Sequence, residues 1–322
     1  MSWLIFALIC LFGWGLADLF YKAGSDEKES NTHLKIAVWV GFVMGITAII
    51  LLPFSESGLN GESLIKNAIA YLPASIGYIV SMIIGYAGLR YLELSIVSPV
   101  QNASGAFSVI AMAAWFTING AGGSIIEEYS GLEIFGTLFI VVGMIALAIV
   151  EQKISNAEVS AHEAKGLEKF KTGALALIFP ILYCVFDTLG TAADGIILDE
   201  EFGLGLGEID VLVLYGLTFF LAGIVCYIVL LIKEKKPYNL FERSQMPKAA
   251  AAVCEQFGQI FYVFAMAKEP LLAAPMVASY CIVSAILARI FLKEKLKASQ
   301  YACIAAVIVG IVMLGIADGI NA

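Results

Sequence analysis

The sequence predicts an all-α membrane protein with ten transmembrane helices, arranged as two inverted-topology five-helix repeats. Three observations lead to this prediction. The 322 residues are 60% hydrophobic and only 14% charged, whereas about a quarter of the residues in a soluble globular protein are charged. Ten apolar stretches follow one another along the chain. Landmark residues of the first five stretches recur in the last five.

Each apolar stretch has the length that a helix needs to cross a bilayer, which is about 20 residues for a hydrocarbon core of about 30 Å. The stretches cover residues 3–21, 36–54, 68–89, 94–118, 132–150, 172–198, 209–232, 248–267, 271–292 and 298–317. The first lacks the basic start and the cleavage site of a signal peptide. We therefore expect it to be a retained membrane span.

The second half of the sequence matches the first at offsets between 167 and 176 residues. The matching pairs are Trp14 with Tyr183, Asp18 with Asp187, Tyr86 with Tyr262, Pro99 with Pro275, Glu127 with Glu294 and Gly143 with Gly310. Apolar helices also align by chance, but these shared landmarks favour a true repeat. Since five is odd, the second copy would enter the membrane upside down. The predicted domains are a first five-helix repeat in residues 1–150, a charged cytoplasmic linker in 151–171 and a second five-helix repeat in 172–322.

Basic residues divide unevenly between the predicted loops. Of the 19 lysines and arginines, 17 fall in or beside the odd-numbered loops, and only Lys66 and Lys268 fall in the even-numbered ones. The positive-inside rule then places the odd-numbered loops in the cytoplasm and both termini outside. We expect a multi-pass protein of the cytoplasmic membrane.

Two segments carry a family resemblance. One begins at Arg90 and reads RYLELSIVSPVQNASGAFSVIAMAAWF; the other begins at Ala265 and reads AMAKEPLLAAPMVASYCIVSAILARIFLKEKLKASQYACIAAVIVGIVMLGI. The second has a short turn, an early proline, a Lys-Glu-Lys-Leu turn and a last span that contains glycine. The chain resembles the EamA-like transporters of the drug/metabolite transporter (DMT) superfamily. The first segment departs from this pattern by a longer loop, Asn119 to Gly131.

Ionisable residues inside the spans are candidates for function, because a charge at the bilayer centre costs at least about 2.5 to 3.5 kcal/mol. Asp187 is the strongest candidate, since it lies roughly 22 Å along its helix from the start of the span. Tyr183 and Asp194 lie near the same helix face.

The repeat partner of Asp187 is Asp18, which follows Trp14 by four residues just as Asp187 follows Tyr183. Asp18 is also only four residues from Lys22. It is therefore either a cavity carboxylate or an interfacial acid paired with that lysine.

A polar stripe runs along the eighth span. Glu255, Gln259, Tyr262 and Met266 follow one another at helical spacing, which predicts one face turned toward the protein interior. Glu255 is seven residues past Lys248. It either lines a cavity or extends back to the cytoplasmic interface.

Two spans carry a proline that predicts a helix break, Pro99 with Asn102 and Pro275 with Tyr280. Proline frees a backbone carbonyl, and broken helices often bind substrate in transporters. The alternative is a packing kink whose polar groups bond between helices.

Deep aromatic residues beside the carboxylates are candidates for a cation-binding box or for ordinary core packing. They are Trp14, Tyr183, Tyr262 and Tyr280. By contrast, we expect Trp3, Trp39 and Tyr71 at the membrane interfaces.

The sequence lacks the motifs of other functional classes. Both histidines, His33 and His162, lie in predicted loops, so neither a catalytic triad nor a metal cluster is expected in the membrane. No Walker A motif is present. We predict no catalytic residue, no metal, no cofactor and no nucleic-acid partner.

The resemblance implies a secondary active transporter of a small metabolite. Several acids and no clearly buried base favour an amine- or cation-bearing substrate, with a coupling proton. The alternatives are a neutral substrate such as a sugar or nucleoside, with the acids as a proton relay, or a non-transporting receptor or membrane enzyme. The expected partners are the substrate, membrane lipid and a proton. The sequence leaves open whether the protein forms a homodimer.

Overall fold

The structure is a computed structural model in which α-helices are joined by mostly short connections. It describes residues 2–25, 29, 31–56, 60–92, 94–119, 129–163, 178–201 and 203–321. In chain order the helices are α1 (Trp3–Ala23), α2 (Thr32–Leu51), α3 (Gly61–Gly88), α4 (Leu94–Asn102), α5 (Ser104–Ile118), α6 (Gly131–Glu163), α7 (Ile178–Leu198), α8 (Glu208–Glu234), α9 (Met246–Met266), α10 (Pro270–Ala278), α11 (Tyr280–Leu287) and α12 (Ala298–Asn321).

In the part of the chain that the structure describes, nine helical segments are long and apolar enough to cross a membrane. One of them, Pro270–Leu292, joins α10, α11 and a short π-helical end. The predicted fourth span is not among the nine, because it consists of α4 and α5, which are nine and 15 residues long. The prediction of a multi-pass, all-helical membrane protein is confirmed at this level.

Two helices extend well beyond their predicted spans. The third begins at Gly61, where the Asn60 side chain caps it by accepting a hydrogen bond of 3.2 Å from the Glu62 backbone N–H. The helix of the fifth predicted span, α6, continues to Glu163, into the predicted linker 151–171. Hydropathy marks only the apolar part of a helix, whereas backbone hydrogen bonding continues into polar sequence. The rest of that linker, residues 172–177 of the predicted sixth span and Glu127 lie outside the described residues.

Four helix pairs pack closely, namely α1 with α9, α3 with α7, α2 with α8, and α6 with α12. Each pair meets at facing glycines, which are Gly13 with Gly258, Gly77 with Gly190, Gly41 with Gly223, and Gly136 with Gly310. At Gly77, an added Cβ would lie 2.8 Å from the Gly190 Cα. Small residues let helix backbones approach closely in lipid, where packing rather than the hydrophobic effect holds helices together.

The two proline-containing segments break in the same way. The break between α4 and α5 falls at Ala103, and the break between α10 and α11 falls at Ser279. Each lies four residues after its proline and donates a backbone hydrogen bond of 3.2 Å to it, Ala103 N–H to Pro99 O and Ser279 N–H to Pro275 O. The prolines therefore stay within helix, and the chain is interrupted one turn later.

The connections gather at two ends of the bundle. At the end that we call basic, Glu29 of the α1–α2 connection contacts Lys248 of α9, and Glu294 accepts hydrogen bonds from the backbone at the start of α4. At the opposite end, which we call acidic, the α2–α3 and α7–α8 connections meet where Gly207 lies against Glu56. The region between the two ends holds the candidate site.

Candidate functional site

A narrow cavity lies in the middle of the bundle. It is bordered by α1, α3, α7, α8, α9 and residues around both helix breaks, and only about 50 Å³ of it is wide enough for the centre of a water molecule. All nine residues that the sequence predicted for substrate or proton binding border this cavity. They are Asp187, Asp18, Glu255, Gln259, Tyr262, Trp14, Tyr183, Asn102 and Tyr280. Their role in binding stays a prediction.

Asp18 joins α1 to both broken helices. Its Oδ2 accepts hydrogen bonds from Ser98 Oγ of α4 at 2.6 Å and from Ser284 Oγ of α11 at 2.7 Å. The residue is 8% exposed and borders the cavity. Of the two interpretations that the sequence left open, the interior position is therefore the one observed.

Asp187 is held in a related way on α7. Its Oδ2 accepts a hydrogen bond of 2.6 Å from Ser104 Oγ at the start of α5. Each of the two aspartates thus pairs with a serine from the second half of a broken helix, Asp18 with Ser284 and Asp187 with Ser104.

Glu255 and the aromatic residues close the cavity on the side of α1 and α9. Glu255 is 9% exposed and borders the cavity, so its side chain does not extend to the interface. The Trp14 indole N–H donates to the Glu255 backbone carbonyl at 3.2 Å. The Trp14 ring lies 5.1 Å from the ring of Tyr262 and 5.5 Å from that of Tyr280, measured between centroids. These rings form part of the cavity wall.

Two buried amide groups border the cavity without a hydrogen-bond partner among the described residues. They are the side-chain nitrogens of Gln101 and Gln259. Buried donors are normally paired, so a bound molecule with acceptor oxygens would satisfy them. Sequence reasoning selected Gln259 and missed Gln101, although its position two residues after Pro99 places it beside the break.

The charge of the cavity wall has one sign. Three carboxylates and eight aromatic rings border the cavity, and no lysine, arginine or histidine of the described chain does. Carboxylates attract cations, and the faces of aromatic rings also do so at short range. The wall is therefore suited to a group of positive charge.

A second polar cluster lies on α7, between the cavity and the acidic end. Asp194 is fully buried, and it accepts hydrogen bonds from the hydroxyls of Tyr71 at 2.9 Å and Tyr78 at 3.4 Å. The Tyr78 hydroxyl is also 2.6 Å from that of Tyr262. We call these four residues the tyrosine cluster.

The three aromatic residues expected at the membrane interfaces are buried against protein, and their depth in the membrane stays a prediction. Tyr71 is fully buried, and Trp3 and Trp39 are 8% and 6% exposed. Tyr71 is buried because its hydroxyl has a partner inside the protein, the carboxylate of Asp194. The helix face shared by Asp187 and Asp194 was the available signal for this cluster, but it did not indicate Tyr71.

At the basic end, Glu29 is the centre of an ionic network. Its carboxylate lies 2.7 Å from Lys248 Nζ and 3.1 Å from Lys35 Nζ, and Lys35 lies 3.1 Å from Glu234. Gln245 also donates to Glu29 at 3.1 Å. Partial burial opposes ionisation, but the hydrogen bonds and charges of Lys248 and Lys35 lower the pKa of Glu29 below its ordinary value. We call these five residues the basic-end network.

Comparisons with known proteins agree with the helical fold. Solved structures include 28 similar chains. One of them, described only as the crystal structure of a protein, has a TM-score of 0.60 and 12% sequence identity, and the similarity covers 99% of this chain and 99% of that one. At this identity the similarity shows the fold alone. No curated protein matches the chain.

The family comparison concerns the second half of the chain. The model of the EamA-like transporter family matches residues 202–316, which run from the α7–α8 connection into α12 and include the break at Ser279. This match confirms the resemblance seen in the sequence. This segment, in the second half of the chain, is therefore similar to the EamA-like transporter family of the DMT superfamily.

Proposed function

We propose that the protein is a secondary active transporter that moves a small amine- or cation-bearing metabolite across the cytoplasmic membrane. The observation that carries this proposal is the cavity with three carboxylates, eight aromatic rings and no basic side chain among the described residues. A cation that leaves water to enter this cavity would replace its hydration with contacts to carboxylates and to the faces of aromatic rings.

In this proposal the binding residues have distinct roles. Asp187, with Asp18 or Glu255, neutralises the positive group, while Trp14, Tyr183, Tyr262 and Tyr280 surround its apolar part. Asn102 and Gln259 provide hydrogen bonds near the helix breaks. The narrowness of the cavity supports a cycle in which helices move apart to admit the substrate.

The proposed architecture is ten spans in two inverted repeats, with domains 1–150 and 172–322 and the linker 151–171. The pairing of helices supports it. If each of the first five spans corresponds to one of the last five, α1 corresponds to α7, α3 to α9 and α5 to α11. The α1–α9 pair then corresponds to the α7–α3 pair, and the α1–α11 pair to the α7–α5 pair. All four pairs are present. The pairs α2–α8 and α6–α12 map onto themselves. Such a relation is the basis of alternating access in transporters with inverted repeats.

The proposed orientation places the basic end in the cytoplasm and both termini outside. The uneven distribution of lysine and arginine supports it. In the same proposal a proton gradient drives transport.

Exchange in proteoliposomes tests the function. Vesicles loaded with tetramethylammonium, choline or ethanolamine should take up the labelled form of the same cation faster than empty vesicles. Asp187→Asn and Glu255→Gln should each lower this exchange at least about tenfold, since a charge-assisted contact contributes about 1.5–3 kcal/mol. Asp210→Asn is the matched control, because Asp210 is a buried carboxylate that does not border the cavity.

A second candidate function is the transport of a neutral metabolite. The amide donors of Gln101 and Gln259, which have no partner in the described part of the chain, favour it, because they suit the oxygens of a sugar or nucleoside. If labelled sugars or nucleosides exchange and none of the cations does, this function replaces the first. If nothing in either panel exchanges, transport of these classes is wrong.

A further inference from the structure

We propose that Asp194 is the proton-binding site of the transporter, separate from the substrate-binding carboxylates and connected to the cavity by the hydroxyls of Tyr78 and Tyr262. This inference rests on the proposed function, and it adds the group that carries the coupling proton.

The surroundings of Asp194 contain hydroxyls but no compensating cation. Tyr71 and Tyr78 face it from α3 and Tyr262 from α9, and the phenol of Tyr215 on α8 is a further titratable group that interacts with it. The groups of α5, α9 and α10 that lie against the adjacent Gly195 are Met112, Met266 and Pro270.

An ionised carboxylate in such surroundings is costly, whereas a neutral carboxylic acid is not. Asp194 is fully buried and no lysine, arginine or histidine of the described chain is among its contacts. Asp194 is therefore a carboxyl suited to binding and releasing a proton, because hydroxyls are its partners and no fixed cation of the described chain holds it ionised.

A chain of hydroxyls joins Asp194 to the cavity. Tyr262 and Tyr78 both border the cavity, their hydroxyls are 2.6 Å apart, and the Tyr78 hydroxyl lies 3.4 Å from Asp194 Oδ2. For loading, Asp194 takes a proton from Tyr78, Tyr78 takes one from Tyr262, and Tyr262 takes one from a hydronium ion in the cavity, which becomes water. Release reverses these steps, so both tyrosines end unchanged and no electron is transferred.

The position of Asp194 separates the proton from the substrate. It lies seven residues after Asp187, about 10 Å further along the helix, and four residues before the end of α7 at Leu198, about 6 Å. Movement of α3 away from α7 would remove the Tyr71 and Tyr78 contacts and open Asp194 toward the acidic end. A proton could then leave without passing the cation held at Asp187.

The test compares pH-driven uptake with exchange in proteoliposomes. Tetramethylammonium is the probe, because its fixed charge does not change with pH. The wild type should accumulate it against a gradient when a pH difference is imposed. Asp194→Asn should retain at least half of the wild-type exchange rate. Its pH-driven uptake should fall about tenfold or more below that of the wild type. Asp210→Asn, which removes another buried carboxylate, should retain both.

The outcomes separate this inference from the proposed function. If the wild type exchanges no cation, the proposed function fails. If the wild type exchanges the probe but Asp194→Asn keeps its pH-driven uptake, or if a pH difference never drives the wild type, the proton site is wrong and the function stands. Loss of probe binding by folded Asp194→Asn would assign Asp194 to the substrate instead and overturn the inference.

A second variant tests the inference if Asp194→Asn does not fold. Asp194→Glu keeps a proton-binding carboxyl but moves it by one methylene group. It should retain pH-driven uptake with a shifted pH profile, while exchange at fixed pH stays near the wild-type rate. An unchanged pH profile, or the loss of exchange together with uptake, would overturn the inference.

Discussion

Different kinds of interaction hold the helices together on the two sides of the cavity. At the basic end, the network around Glu29 consists of two lysines, two glutamates and an amide, and the Glu29 side chain is 21% exposed. At the acidic side, the tyrosine cluster is buried and consists of one carboxyl and three phenols. Charged contacts near water respond to salt and pH, whereas buried hydroxyl contacts respond mainly to the loss of a partner.

One helix connects these regions. Lys248, Glu255 and Tyr262 follow one another at intervals of seven residues on α9, so they lie near one face over about 21 Å. They belong to the basic-end network, the cavity wall and the tyrosine cluster, respectively. A displacement of α9 would therefore alter the basic-end network, the cavity and the tyrosine cluster together.

The largest effect that distinguishes the two ends is expected at Lys248. Its side chain is 2% exposed, and Lys248→Met removes the 2.7 Å contact with Glu29. We expect a loss of about 2 kcal/mol in the free energy of unfolding, less than for a fully buried pair because Glu29 is partly exposed. Denaturant titration in detergent micelles measures this loss, and 1 M salt should reduce the difference from the wild type.

The matched control for this variant is Lys236→Met. Lys236 lines a surface depression together with Glu29 and Lys248, is exposed and is not in the ion pairs observed in the described chain. Equal losses for the two variants would show that the network contributes nothing specific to stability.

A smaller effect is expected at the tyrosine cluster. Tyr71→Phe removes one donor to Asp194 and keeps the ring, so we expect a loss of about 1 kcal/mol in the free energy of unfolding. Unlike the loss at Lys248, it should be the same in low and high salt. Tyr91→Phe is the control, since Tyr91 is 48% exposed and should show no change. A strong salt dependence for Tyr71→Phe would remove the contrast between the two ends.

The smallest effect concerns pH at the basic end. Because the pKa of Glu29 is lowered in the folded protein, its contribution to stability is complete above the ordinary value of about 4.5 and is lost as pH falls through the folded-state pKa. The stability difference between about pH 6 and about pH 4 should therefore be smaller in Glu29→Gln than in the wild type. Glu242→Gln, which removes an exposed carboxylate beside the same depression, should leave the wild-type pH dependence. The same pH dependence in wild type and Glu29→Gln would contradict this prediction.

The sequence predicted much of the site because its residues repeat at helical spacing. Asp187 with Tyr183, and Glu255 with Gln259 and Tyr262, each share a helix face, and all five border the cavity. Periodicity within one helix was enough to select these residues. It did not reveal which helix each face meets.

The residues that sequence reasoning missed are defined by contacts between distant parts of the chain. Tyr71 contacts Asp194 across 123 positions, and Glu29 contacts Lys248 across 219. No local pattern marks such pairs. The exact site of each helix break was also missed, because the interruption follows one turn after the proline rather than at it.

By itself, the sequence determined that this chain lies in a membrane and which faces of its helices are polar, because hydrocarbon excludes charge and fixes the length of an apolar span. Only the tertiary structure decided that glycine contacts bring α1 to α9 and α3 to α7, and that these pairs place the carboxylates around one cavity. The reason is physical: helices in lipid associate through close shape complementarity between surfaces, and that complementarity is a property of two distant segments together.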